Sequence, residues 1–241
     1  MFLIWCSMSH LRADIQEQAI TDPNKILAKA YTIEQDLNTW FANLPPSFSY
    51  TTHIVPPNSY TIKQKCRGIT PYNNKYHIYN AFWISELYNQ YRCMRILVSE
   101  IIFSHLQKLP SPTASCREHE HRALISHFSD EICHSIPFSL GACNSETPPE
   151  VRAVPPENYI AGLLLIWPLY LAGAAEQLSH PRRRWVLHAA RVIGHSMGVE
   201  LGLRIMDILN VAPCILDEEE IWSDEISVKY VKEGDGVDCA G

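Results

Sequence analysis

The segment VIGHSMGVELG, residues 192 to 202, contains Gly194-His195-Ser196-Met197-Gly198, which fits the GxSxG spacing of a serine-hydrolase nucleophile elbow. That spacing implies acyl-transfer chemistry, because the serine is lifted on a strained turn between a strand and a helix and the glycines leave room for it. A serine hydroxyl is a weak nucleophile until a base takes its proton. In the α/β-hydrolase order the histidine base follows the nucleophile along the chain, and here all 11 histidines lie at or before His195. On a helix, His195 itself would point about 100° away from Ser196. The local pattern also favours a helix: Val186, Ala190, Ile193, Met197, Leu201, Ile205 and Ile208 step by three or four through the pentapeptide, with only Arg204 near the seam. A packed helix from Pro181 to Asn210 is the expectation, and a serine hydrolase is kept as a disfavoured alternative.

Other residues that could do chemistry are also grouped. Cys116-Arg117-Glu118-His119-Glu120-His121 collects metal-ligand types, and Cys116 with His119 or Glu120 would share a helix face. The HExxH and HxExxH spacings of zinc sites are absent, so a solvated helix start is expected. His127, Cys133 and His134 follow on the same helix but without ligand spacing. Pro181-Arg182-Arg183-Arg184 is a short basic cluster at a helix start, where it opposes the macrodipole and invites an anion or a surface role. The eight cysteines, at positions 6, 66, 93, 116, 133, 143, 214 and 239, form no CxxC pair and read as buried thiols in a reducing compartment. No catalytic, metal or DNA-binding residue is therefore assigned, no cofactor is expected, and a ligand-binding set is not readable.

The elements that would position these residues are helical. The chain has 241 residues, 46% of them hydrophobic, with few glycines and long stretches without turn signals. An all-α, multi-helix domain around a single core is expected over 1–210, followed by an acidic tail, 211–241. The formal net charge of −6 offers no field for a phosphate backbone, so direct nucleic-acid binding is not expected. MFLIWCSMSHLR has no basic start and reads as a helix fragment rather than a signal peptide. Asp22-Pro23 opens a helix with Ile26, Ala30, Ile33, Leu37 and Trp40 or Phe41 on one face, stopped at Leu44-Pro45-Pro46. Long loops are expected near 45–72 and 141–156, separated by helical patterns over Asn74 to Leu109 and Cys116 to Leu140. Residues 159 to 175 carry no charge, but Pro168 interrupts them and Glu157 and Glu176 flank them. A buried core helix is favoured there over a membrane helix, which needs roughly 20 apolar residues. The tail, LDEEEIWSDEISVKYVKEGDGVD, interleaves acids with bulky apolar residues like an acidic activation segment.

Four stretches in order resemble the regulatory, or middle-homology, region of fungal zinc-cluster (Zn2Cys6) transcription factors. They are YNAFWISELYNQYRCMRILVSEII (79 to 102), SDEICHSIPFSLG (129 to 141), ENYIAGLLLIWPLYLAGAA (157 to 175) and HAARVIGHSMGVELGLRIMDIL (188 to 209). The resemblance implies an all-helical, non-enzymatic regulator of transcription in a fungal nucleus. Its partners would be other transcription proteins or a second copy of itself, and no membrane is implied. The family's N-terminal six-cysteine zinc module is not formed by any of these cysteines. The chain is thus expected to lack its own DNA-binding module, as a truncated or a cluster-less member.

Overall fold

The computed structural model describes residues 1–56, 60–109, 112–141 and 159–216. Helices α1 (Phe2–Gln16) and α2 (Pro23–Ala42) come first. Strand β1 (Tyr50–Ile54), the short helix α3 (Tyr60–Lys65) and strand β2 (Lys75–Tyr79) follow. Then come α4 (Phe82–Leu106), α5 (Pro112–Ser139), α6 (Tyr159–Ala174), α7 (Pro181–Met197) and α8 (Glu200–Val211). The all-α class stands, and a single apolar cluster runs from Met8 to Ile215 through all the long helices.

Local chemistry accounts for several of the boundaries. Asp22 is extended, its carboxylate accepts the Asn24 amide at 3.0 Å, and Pro23 takes the first helical position, so α2 starts where the cap predicts. Ile26, Ala30, Ile33 and Leu37 are buried along its inner face, while Phe41 stays partly exposed. At the far end of the chain, α8 runs out at Val211, and the orphan carbonyls there are collected by a side chain from α7. The Arg183 guanidinium donates to the carbonyl oxygens of Leu209, at 2.5 Å, and Ala212, and to that of Glu176 at 2.7 Å. A cation at a helix C-terminus satisfies both the unpaired carbonyls and the dipole.

Helix α4 is the central element. It is buried along most of its length and packs against α5, α2 and α6, with α1 against its N-terminal part. Helices α6, α7 and α8 form a second group, packed on one another and joined to the first through α5. The two strands pair antiparallel, Tyr50 opposite Tyr79 and Thr52 opposite His77, and β2 lies on α5.

Three expectations are corrected. The span 45–72, expected as loop, contains β1 and α3. Residues 75–79, expected as the start of a long helix, form β2, and the helix begins only at Phe82 after an extended Ala81. The sequence KYHIY carries aromatic and β-branched residues that suit a strand, and its partner YTTHI supplies the ladder from 25 residues upstream. The single helix expected from Pro181 to Asn210 breaks at Gly198, whose left-handed φ of 69° ends α7. Across that break the buried set jumps from Val186, Ala190, Ile193 and Met197 to Gly202, Ile205, Met206 and Leu209, which leaves Leu201 exposed. Among the described residues no helix is long and apolar enough to cross a membrane. Most of the loop expected at 141–156 and nearly all of the acidic tail, from 217 onward, lie outside the described residues.

Candidate functional site

Along α4 the polar residues Glu86, Asn89, Arg92 and Arg95 recur every three positions, and all four are buried. Steps of three on a helix place neighbours one above another while the row winds slowly around the axis. The row therefore faces different partners at each level. Arg95, at one end, donates to Glu34 at 3.1 Å and to Asn38, and stands 5.0 Å from the Phe128 ring centroid, which ties α2 and α5 to α4.

Arg92 is the centre of the largest polar cluster. Its Nη1 donates to the Tyr79 hydroxyl at 2.7 Å and to Asn89 Oδ1 at 3.1 Å, and its Nη2 lies 3.3 Å from Glu131 Oε2. The rings of Tyr50 and Tyr88 each sit 5.4 Å from the guanidinium carbon. A delocalised, weakly hydrated cation suits such aromatic surroundings. Tyr50 donates its hydroxyl to the same Glu131 oxygen at 2.7 Å. Ser135 Oγ donates to Asn89 Oδ1 at 2.9 Å, so Asn89 accepts from two sides.

Two histidines close the cluster from the other side. His77 Nε2 is 3.2 Å from Glu131 Oε2, and His134 Nδ1 is 3.6 Å from Glu131 Oε1. Thr52, opposite His77 across the two strands, contacts its Nδ1 at 3.0 Å. Burial works to push the Glu131 carboxyl up, but the close imidazoles of His134 and His77 and the charge of Arg92 outweigh it, and it is held far below the usual carboxylate range. Burial lowers the pKa of His77, so it is neutral at neutral pH despite the carboxylate beside it. Desolvation lifts the Tyr50 phenol to about 12, which keeps it a hydrogen-bond donor.

His77, Glu131 and His134 offer donor atoms within 4.8 Å of one another, the two-histidine, one-carboxylate set of many zinc and iron sites. The electrostatics argue against a divalent ion there. The one carboxylate already neutralises the Arg92 guanidinium, and its Oε2 already accepts from Tyr50. An ion would add two positive charges beside a buried cation with no further acid among its ligands. What the arrangement does chemically is to satisfy one buried ion pair from both strands, α4 and α5 at once.

The residues singled out in the sequence are scattered. Ser196 is exposed in the last turn of α7, and only its backbone carbonyl is used, by Arg67 at 2.7 Å. The residues leading into it form a helix from Pro181 onward instead of a strand, so the elbow geometry is not formed. Gly194 instead provides contact space, since a Cβ there would fall 2.6 Å from the Leu203 side chain. On α5, Cys116, His119 and Glu120 are exposed, Glu118 is half-buried and His121 is buried. The basic cluster expected at the surface is largely interior: Arg182 reaches Asp130 at 2.8 Å, Glu176 at 3.1 Å and Ser126 at 2.6 Å, Arg183 caps α8, and only Arg184 faces solvent. Of the histidine group on α5, His127 is exposed and His134 joins the cluster.

Arg92, Glu131 and His77 were not separable in the sequence from surface residues. The usable signals were the charged residues at three-residue steps along one helix, and Glu131 three positions before His134. His77 could not be found, because its partners come from elements remote in the chain. The chain matches no protein-family model, no curated protein and no solved structure.

Proposed function

We propose that the chain is a non-enzymatic regulatory domain of the fungal zinc-cluster transcription-factor type, acting in the nucleus through contacts with other transcription proteins or with itself. The observation that carries this reading is the placement of the four resembling stretches. They fall on α4, the end of α5, α6 and the α7–α8 pair, and these elements pack against one another around the apolar cluster. An ordered series of degenerate motifs that shares one core is what a common fold would require. The buried guanidinium groups of Arg92 and Arg182 are spent on Glu131 and Asp130, and Ser196 is exposed on a helix, which supports a binding role over acyl transfer. None of the eight cysteines in residues 1–241 has the paired spacing of the zinc module, so the role proposed for this domain rests on protein contacts.

The test is to fuse the full chain to an unrelated DNA-binding module and read a reporter carrying that module's site. Output should rise or fall relative to the module alone, and the unfused chain should give no sequence-specific gel shift. Unchanged reporter output would overturn the proposal, as would a specific shift by the chain itself.

A further inference from the structure

A cavity of about 290 Å³ opens between α1, α4 and α6, with Trp5, Leu164, Trp167 and Pro168 on its apolar side and Glu86, Asn89, Gln90 and Cys93 on the other. It is separate from the Arg92 cluster, yet Asn89 belongs to both. Glu86 is only 9% exposed, and its Oε1 has no hydrogen-bond partner. Asn89 is fully buried: its oxygen is held by Arg92 and Ser135, while its Nδ2 has no partner. Two residues that carry an unsatisfied buried acceptor and an unsatisfied buried donor thus line one small cavity beside two indoles. Native interiors rarely leave such groups orphaned, because each then bears its desolvation cost without a compensating partner.

We propose that this cavity binds a small aromatic ammonium compound, its N–H groups donating to Glu86 and its ring resting against Trp5, Leu164 and Trp167. An oxygen beside the ammonium group accepts from Asn89 Nδ2. A carboxylate rather than a neutral acceptor selects a cation, because charge-assisted hydrogen bonds are roughly twice as strong as neutral ones. Indole faces add to that selection. Among the described residues no cation offsets the charge of Glu86: burial is the whole cause of its displaced carboxyl, pushed up to about 7, whereas at Glu100, further along the same helix, the charge of Arg12 opposes burial. The volume lies at the small end of ligand pockets, which suits a compound of about ten heavy atoms. The inference goes beyond the regulatory reading and does not depend on it, since binding is measured without any transcription assay.

The full chain is titrated with 2-amino-1-phenylethanol and, as a neutral isostere with methyl in place of ammonium, 1-phenyl-1-propanol. Tryptophan fluorescence and thermal midpoint are followed. The amine should saturate with a Kd on the order of 1 mM or tighter, and the alcohol should bind at least about tenfold more weakly. E86Q, checked for native circular dichroism, should lose about tenfold or more in amine affinity and leave the alcohol unchanged. Absence of saturation by about 10 mM amine, equal binding of amine and alcohol, or an E86Q affinity equal to wild type would each overturn the proposal.

Discussion

Two carboxylates of the same interior, Glu86 buried and Glu131 half-buried, are held in opposite states. Glu131 faces Arg92, Tyr50 and two histidines and stays ionised far below the ordinary range, whereas Glu86 faces two indoles and an apolar helix and is lifted to about 7. Burial acts upward on both; the difference is the company each keeps. Asn89, between them on α4, has its acceptor engaged by Arg92 and Ser135 and its donor unpaired. A polar group that is fully paired pins a fold, and one that is left open in a cavity is available to a ligand. The contrast separates a structural centre from a binding site within a few turns of one helix.

The strongest way to break that contrast is to remove the cation from the paired region. Arg92→Met leaves the Glu131 charge buried without its partner and should lower unfolding free energy by about 3–5 kcal/mol in urea titrations at pH 7. A loss below about 1 kcal/mol would mean that Glu131 is as solvated as a surface acid.

The unpaired region should respond with the opposite sign. Glu86→Gln should raise stability by about 1–3 kcal/mol at pH 8, because the folded state then no longer carries an unpaired buried charge. The sign follows from a folded value of about 7 against an ordinary 4.5: the stability that protonated Glu86 contributes is fully present below pH 4.5 and lost as pH rises through about 7. The difference between variant and wild type should therefore shrink on acidification and vanish near pH 4.5. A gain that is flat from pH 8 to pH 4.5 would assign the effect to packing rather than charge. Glu131 behaves the other way, since its lowered value makes its contribution present above 4.5 and lost as pH falls further.

The smallest effect is expected outside both regions. Ser196→Ala on the exposed end of α7 should change the thermal stability by less than about 0.5 kcal/mol and leave amine binding as it is. A larger change, or a loss of ester hydrolysis by the chain, would place chemistry at Ser196 after all.

Much of the fold was legible because its signals are local. The Asp22-Pro23 cap, the apolar face of α2, the charge-free run that became α6 and the seam of α7 each need only a few neighbouring residues, and each formed. The strands were not legible. Tyr50–Ile54 is mostly polar and exposed, and its extended form is fixed by pairing with a segment that itself reads as the lead-in to a helix. The seam beyond Gly198 failed for a similar reason, because one left-handed residue rotates everything after it and leaves Leu201 outside. The arginines at 182 and 183 look like a surface cluster until Asp130, Glu176 and the end of α8 arrive from elsewhere in the chain.

By itself, then, the sequence determined the helical class, the starts of α2 and α7, the extent of α6 and the lack of a histidine between Ser196 and Gly241, since propensity, capping and residue order are properties of the chain. Tertiary structure alone decided the states of the charges. Whether Glu131 is held ionised and Glu86 is left with an open oxygen depends on which side chains from β1, β2, α1, α5 and α6 come within a few ångströms, and on how much water they exclude. Those contacts join residues far apart in the chain, so the difference between a structural acid and a ligand-binding acid exists only after folding.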